Sequence, residues 1–352
     1  MTIRLAVAGV RHPHIDTIIA EAGHHDDVEL VGIAEGDREL RGSYTARYGV
    51  RGYDDHAQLL DSGTADVIAV GDVYSARGAI VADALRSGHH VLADKPLCTT
   101  RADLDAIHAA WRGGDRLLSI AFEKRFYAST LALSEVLAQA ELGEITMVTA
   151  TGPHKLTRHR RPDWMFDAAS YGGILNDLTV HDIDLLLHLT GVSSGQVRGH
   201  AGNRGNTDRP GFEDHGLAVV ETDGGPIAAL DAHWLSPEAA PYHGDYRMRL
   251  VGTGGTADVL WKDDELVVAT HERSPRDVPL PPRRRAAADF VDALRAGREP
   301  SVTASDALAA TSVALAAQES ARAGRPVTWD IAGYLPGSGG APLDRPTSRR
   351  TP

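Results

Sequence analysis

Short apolar segments alternate with helical patterns through the first third of the chain, and this alternation restricts the fold more than any other feature. The strand-like segments are rich in Val, Ile and Leu and read IRLAVAG, VELVGIA, DVIAVG, HHVLAD and RLLSIAF. Between them, apolar residues recur at helical spacing over 13–24, 37–48, 75–88 and 100–113. Strands joined by crossover helices form a parallel sheet that is buried on both faces. The pattern therefore predicts a doubly wound α/β domain over residues 1–122.

After residue 122 the pattern changes to consecutive strands. A helix near 127–140, the strand EITMVTATG and a helix near 173–190 come first. Six strand-like segments follow, with turn residues between them: GQVRGHAG, HGLAVVET, PIAALDAHWL, YRMRLVGT, GTADVLW and ELVVAT. With helices near 286–296 and 304–323, they predict a second α/β domain over residues 123–330, built on a large, mainly antiparallel sheet with one open face. The Gly/Pro/Ser-rich segment 331–352 is predicted to be a mobile tail.

Charge and composition restrict the partners. The net charge is −12, whereas nucleic acids and anionic membranes need a positive surface, so neither partner is expected. No apolar stretch reaches the roughly 18 residues of a membrane span. A lone cysteine, Cys98, excludes an intrachain disulfide and fits a cytoplasmic location. The open sheet face predicts a homodimer or homotetramer.

The loop after the first strand has only part of a dinucleotide-binding fingerprint. In G-x-G-x-x-G, Gly9 is present, while Arg11 and His14 occupy the second and third glycine positions. These side chains can contact phosphate, and the following helix N-terminus also favours anions. The alternative is a divergent loop that no longer holds phosphate, and these residues alone leave both readings open. His12 and His14 lack a third ligand nearby in the sequence, so no metal site is predicted.

Two later strands end in polar residues that suit a redox site. Glu35 follows the second strand, where a carboxylate can accept hydrogen bonds from the adenosine ribose and favour NAD over NADP. The strand HHVLAD ends at Asp94 and is followed by Lys95 and Pro96, and a lysine there can stabilise negative charge on a substrate oxygen. The alternatives are a surface glutamate and an ordinary turn.

The segment YGGILNDLTVHDIDLLLHLTG carries the second polar group. Asp177 and His181 are four residues apart, so a helix places them side by side. A carboxylate can orient a neighbouring imidazole as a general base. The alternative is a polar stripe that faces solvent.

The loop GPHKLTRHRRPDWMFD, residues 152–167, combines cationic side chains with an aromatic one. Such a set suits a polyhydroxylated or anionic ligand. The predicted substrate contacts are His154, Lys155, Arg158, Trp164 and Asp167. The alternative is an exposed loop whose tryptophan packs on the sheet.

Taken together, these motifs resemble the Gfo/Idh/MocA oxidoreductases. ADKPLCTT resembles the family's E-K-P stretch, and GGILNDLTVHDIDLLLHLTG is similar to its G-G-x-L-x-D-x-x-x-H-x-x-D helix. The resemblance covers residues 3 to about 328. It implies an N-terminal Rossmann domain, a C-terminal domain with an open sheet, and a nicotinamide cofactor. It assigns Lys95, Asp177 and His181 as the catalytic group, with Lys95–Pro96 cis.

The chain departs from the family pattern on the cofactor side. The glycine loop is altered, DVYSAR stands where the family has T-P-N-x-x-H, and Asp94 replaces a glutamate. Because the catalytic residues are retained, we expect a modified loop set that still binds NAD, with NADP as the second choice. The predicted cofactor contacts are Gly9, Arg11, His12, His14, Glu35, Asp72, Tyr74, Arg77, Asp94 and Lys95.

The resemblance implies an NAD(P)-dependent oxidoreductase that transfers a hydride between the nicotinamide and a secondary alcohol of a sugar, cyclitol or sugar acid. One alternative is an enzyme that keeps NAD bound and uses transient oxidation for hydrolysis, elimination or epimerisation. Another is a non-catalytic protein that binds sugars or has a regulatory role.

Overall fold

The first of two β-sheets is parallel and has six strands; the computed structural model describes residues 2–112 and 114–335. Its strands are β1 (Ile3–Ala8), β2 (Val28–Ala34), β3 (Arg51–Tyr53), β4 (Val67–Val70), β5 (His90–Ala93) and β6 (Leu118–Ile120). The helices between them are α1 (His14–Ala22), α2 (Arg38–Tyr48), α3 (His56–Asp61), α4 (Tyr74–Arg86) and α5 (Arg101–Arg112). The strand order β3-β2-β1-β4-β5-β6 confirms the doubly wound fold.

Sequence patterns missed β3 and α3. They have three and six residues, which is too short for a clear periodicity. The strand order reverses between β1 and β4, so their carboxyl ends open a crevice at the position where doubly wound sheets bind ligands.

The second sheet has nine strands, and its neighbours are antiparallel except for the parallel pair β7 and β10. The strands are β7 (Ile145–Pro153), β8 (Ser194–Gly202), β9 (His215–Thr222), β10 (Ile227–His233), β11 (Arg247–Gly252), β12 (Gly255–Leu260), β13 (Glu265–Thr270), β14 (Arg276–Asp277) and β15 (Val327–Asp330). Their order is β14-β13-β12-β11-β7-β10-β9-β8-β15. The associated helices are α6 (Ala128–Ala138), α7 (Ala168–Tyr171), α8 (Ile174–Asp177), α9 (Val180–Thr190), α10 (Ala286–Ala296) and α11 (Ala304–Ala323).

The two faces of this sheet differ in solvent exposure. Ala228, Leu230 and Ala232 of β10 are buried, whereas Ile227 is exposed, as alternation along a half-buried strand requires. Helix α11 is buried along most of its length against β8 and α9. One face is therefore covered by helices and the other is open.

The predicted helix over 173–190 is broken. Helix α8 ends at Asp177 and α9 begins at Val180. Gly173 enters α8 with a φ of 110°, and an added Cβ would lie 2.1 Å from Cδ of Gln318. Only a glycine fits this approach. The break separates Asp177 from the regular turns that carry His181.

Contacts between distant segments hold the chain together. The hydroxyl of Ser119 in β6 donates to the carbonyl of Val302 at 2.8 Å, and Arg101 of α5 bonds Ser312 of α11 at 2.7 Å. Of the predicted tail, residues 332–334 form a 3₁₀ turn, and residues 336–352 lie outside the described part. None of the described helices combines the length and the apolar character that a membrane crossing needs.

Candidate active site

Lys95 and Asp177 form a buried ion pair at the carboxyl end of the first sheet. Lys95 follows β5, and its Nζ lies 2.7 Å from Oδ1 of Asp177 at the end of α8. The two side chains are 5% and 0% exposed. Burial opposes ionisation, but the ammonium holds the pKa of Asp177 below its ordinary value. The structure thus joins two residues that lie 82 positions apart in the sequence. The predicted cis bond between Lys95 and Pro96 is confirmed.

His181 lies in the first turn of α9 beside this pair. Burial, and then the positive charges of Lys95 and Lys124, hold its pKa well below the ordinary value, so the imidazole is neutral near pH 7. Its Nδ1 and Oδ2 of Asp177 are buried without a hydrogen-bond partner. Buried polar atoms are normally paired, so these two indicate a place for a polar ligand.

A second buried network surrounds Asp94. Its carboxylate lies 2.9 Å from Nδ1 of His12, 3.1 Å from Nδ1 of His14 and 2.8 Å from the Arg77 guanidinium. Against the effect of burial, Arg77 and the two histidines hold the pKa of Asp94 well below its ordinary value. Burial, and then His14, lower the pKa of His12 to about 3. This network fixes the altered glycine loop to the strand that carries Lys95.

Tyr74 and Arg77 belong to this network and have almost no exposed surface. Arg77 is 0% exposed and donates to carbonyl oxygens of Asp72 at 2.8 Å and of Lys95. The Tyr74 hydroxyl lies 3.2 Å from Nε2 of His12. The sequence placed both residues among the cofactor contacts. Because protein atoms surround them, they can act on a cofactor only by positioning other residues.

The crevice between β1 and β4 has groups that fit a dinucleotide. Gly9 has a φ of 79°, and an added Cβ would lie 2.3 Å from Cβ of Asp72, so the loop has no room for a side chain there. Glu35 accepts hydrogen bonds from the backbone N–H groups of Val10 at 3.1 Å and Asp37 at 2.8 Å. A carboxylate fixed in this way suits ribose hydroxyls.

Arg11 covers Glu35 from the solvent side. Its guanidinium lies 2.8 Å from the Glu35 carboxylate and is 32% exposed. A guanidinium has five N–H donors, so donors remain for phosphate oxygens. The side chain of Arg11 can therefore supply phosphate contacts where the fingerprint would place a glycine.

His12, His14 and Asp94 are also near enough to hold a cation, since their ligand atoms lie within 4.8 Å of one another. However, the Arg77 guanidinium is already bonded to Asp94, and its positive charge opposes a metal ion at this point. The expectation of no metal stays a prediction.

Two of the predicted substrate contacts lie against residues of the buried networks. His154 follows β7 and is close enough to Lys95 for the ammonium to help burial hold its pKa well below the ordinary value. Trp164 packs against Tyr74 with ring centroids 4.8 Å apart, and its Nε1 is buried without a partner. Their role as substrate contacts stays a prediction.

The other three predicted contacts have protein partners. The Lys155 ammonium donates to the carbonyl of Ala240. Arg158 is exposed and pairs with Asp208, and Asp167 caps α7 through the N–H of Ser170 at 2.9 Å. The structure does not bring these three to the catalytic group.

Several side chains of the site were not predicted from the sequence, because no motif or periodicity marks them. Trp234 donates from Nε1 to the Tyr171 hydroxyl at 2.9 Å, and Asp177 lies near that hydroxyl. Lys124 pairs with Asp182 at 2.5 Å. These residues come from separate elements, and only the fold brings them together. By contrast, Asp184 and His188, which share helical spacing with Asp177, bond Arg125 instead.

Comparisons with known proteins agree with this geometry. An oxidoreductase family model, an NAD-binding Rossmann fold, matches residues 3–122. The model of the GFO/IDH/MocA C-terminal domain matches residues 130–258. Inositol 2-dehydrogenase 2 of Saccharopolyspora erythraea is 27% identical over 259 residues, 73% of each chain. The myo-inositol 2-dehydrogenase of Thermotoga maritima is 23% identical over 278 residues, 78% of this chain and 80% of the relative.

Solved structures show the same architecture. An oxidoreductase from Thermotoga maritima superimposes with a TM-score of 0.85 at 25% identity, covering 93% of this chain and 100% of the other. Levoglucosan dehydrogenase, in complex with NADH and levoglucosan, gives a TM-score of 0.81 at 18% identity, covering 94% and 100%. The predicted fold class, enzyme class and nicotinamide cofactor are confirmed. With both of its domains matched in chain order, the protein belongs to the Gfo/Idh/MocA family of NAD-binding oxidoreductases.

Proposed function

We propose that the enzyme oxidises a secondary alcohol of a sugar, cyclitol or sugar acid with NAD. The observation that carries this proposal is the buried convergence of Lys95, Asp177 and His181 beside the Rossmann crevice. The two relatives named for inositol oxidation support the substrate class. A bound nicotinamide supplies the hydride acceptor.

Each residue of the catalytic group has a separate task on the alcohol. Lys95 donates a hydrogen bond to the alcohol oxygen and stabilises the negative charge that develops there. Asp177 pairs with the ammonium and fixes it in position. His181 is neutral and takes the hydroxyl proton. Because Lys95 and Lys124 oppose a third positive charge, the proton does not remain on His181.

In the proposed complex, different residues of the crevice bind the adenosine ribose and the phosphates of the cofactor. Glu35 binds the adenosine ribose, and its negative charge favours NAD over the 2′-phosphate of NADP. Arg11, Gly9 and Asp72 line the phosphate side, and His12, His14 and Asp94 support the loop next to Lys95.

Calorimetric titration with NAD and NADP in parallel tests this assignment, after a spectroscopic check for retained cofactor. Saturable NAD binding with weaker NADP binding is expected. If neither dinucleotide binds and none is retained, the proposal fails. Net NADH formation with inositols, sugars or sugar acids then tests the reaction. Retained cofactor without net NADH would instead favour an internal redox cycle.

We also propose that the open sheet face joins copies of this chain in a homodimer or homotetramer. Met147, Leu217 and Ile227 are 45%, 38% and 45% exposed on strands of that sheet. Grouped apolar side chains of this size favour burial in an interface. The buried free thiol of Cys98 is consistent with assembly in the cytoplasm.

A further inference from the structure

Arg161 is a positive charge at the cleft without a carboxylate within ion-pair distance among residues 2–112 and 114–335. Its donors reach only carbonyl oxygens, of Leu156 at 2.8 Å and of Lys155 at 3.5 Å. By contrast, the cleft ammonium groups of Lys95 and Lys124 each have a buried carboxylate partner. One guanidinium charge therefore remains unbalanced.

The neighbours of Arg161 place it at the catalytic cleft. Its guanidinium lies 4.8 Å from the ring centroid of Trp234. Trp234 is buried and donates to the Tyr171 hydroxyl, which in turn lies close to Asp177. Trp234 and Tyr171 thus connect Arg161 to the catalytic carboxylate through direct contacts.

Two histidines complete this part of the cleft. The rings of His154 and His243 are 5.4 Å apart, and His154 lies 5.1 Å from Trp234. Burial, and then the nearby guanidinium of Arg161, lower the pKa of His243. Burial also holds the pKa of His154 well below its ordinary value, with a smaller contribution from the Lys95 ammonium. Both imidazoles are therefore neutral near pH 7, and Arg161 supplies a positive charge next to them.

We propose that Arg161 binds a carboxylate of the substrate, with His154 and His243 as neutral hydrogen-bonding groups for its hydroxyls, so that the enzyme acts on sugar acids in preference to neutral sugars. This inference rests on the proposed function and narrows its substrate class. One unpaired guanidinium balances one negative charge and binds both oxygens of a carboxylate in its fork. Nδ1–H of His154 donates to the carbonyl of Gly152 at 2.9 Å, which leaves Nε2 to accept from a sugar hydroxyl.

The test is calorimetry of the whole protein, with and without saturating NADH. The probes are D-glucuronate and D-galacturonate, with D-glucose and D-galactose as their neutral counterparts. We expect at least one uronate to bind about 10- to 100-fold more tightly than its neutral counterpart, as expected for a charged hydrogen bond. Arg161→Gln abolishes that difference and leaves the affinity for neutral sugars, while Arg161→Lys restores part of it.

The matched control is Arg160→Gln, which removes the same charge from an exposed neighbour in the same loop. It retains the wild-type preference for the uronate, and thermal unfolding confirms that each variant is folded. Three results would overturn the subsite: no preference for either uronate, an equal loss of both probe classes in Arg161→Gln, or tighter binding of D-glucose 6-phosphate than of the uronates. Calorimetry measures binding without turnover. If the protein binds uronate but forms no NADH, the proposed reaction is refuted and the carboxylate subsite is still supported.

Discussion

Replacing Lys95 by Met tests the buried ion pair directly. The Lys95 ammonium lies 2.7 Å from the Asp177 carboxylate, and the side chains are 5% and 0% exposed. Methionine keeps much of the volume but leaves the carboxylate buried without its partner. Breaking such a pair costs about 3–5 kcal/mol. At about 2 °C per kcal/mol for a chain of this size, the melting temperature at pH 8 should fall by roughly 6–10 °C.

The stability difference between Lys95→Met and the wild type should also depend on pH, in a direction that the pKa of Asp177 determines. In the wild type, the lowered pKa of Asp177 contributes stability above the ordinary titration range, which is lost as the pH falls through the lowered pKa. Without the ammonium, burial alone raises this pKa, so the folded variant binds a proton before the unfolded chain does. The deficit should therefore shrink between pH 8 and pH 5.

A double variant provides the control for this test. Lys95→Met combined with Asp177→Asn removes both charges and should recover most of the lost stability at pH 8, because no buried charge remains. Differential scanning calorimetry of the three proteins measures each difference. The reasoning is refuted if Lys95→Met melts with the wild type at pH 8, or if the double variant is as unstable as the single one.

Three further predictions address the cofactor loop, the base and the assembly. Gly9→Ala forces a φ of 79° on alanine at a cost of about 1–2 kcal/mol, and the added methyl group overlaps Asp72. Calorimetry should therefore show an affinity for NAD at least about tenfold lower. An unchanged affinity would contradict this role of Gly9. His181→Ala should lower kcat by a factor of about 10²–10⁴ while NADH still binds. The kcat of the wild type should stay level as the pH falls through 6.5, because the pKa of His181 is lowered well below that value. A fall in kcat centred at pH 6.5 argues against His181 as the base. Leu217→Asp should reduce the mass measured by light scattering, and an unchanged oligomer would exclude this part of the open face.

The sequence predicted those parts of the structure that follow a regular period or a local motif. The alternating strands and helices gave the Rossmann sheet, and the spacing from Asp177 to His181 gave part of the site. Asp184 and His188 lie at the same helical spacing, but the fold places them on Arg125. A helical period describes positions around an axis, and it carries no information on which partner faces them.

The parts that could not be predicted depend on contacts between distant segments. Arg77 was predicted to contact the cofactor, yet its carbonyl and carboxylate partners come from two other turns and leave it 0% exposed. Trp234 and His243 reach the cleft from the connection between β10 and β11. No local pattern distinguishes them from other aromatic residues of that sheet, because their position depends on strand order.

The position of Arg77 limits how this enzyme can be re-engineered. It bonds the backbone that follows β4, the carbonyls of Lys95 and Pro96, and the carboxylate of Asp94. Grafting a relative's complete glycine fingerprint onto residues 9–14 would remove His12 and His14 from Asp94 while Arg77 remained attached to it. A loop transplant that aims to change cofactor preference should therefore exchange residues 9–14, 72–77 and 94 together as one cassette, because any partial exchange shifts the backbone that carries Lys95.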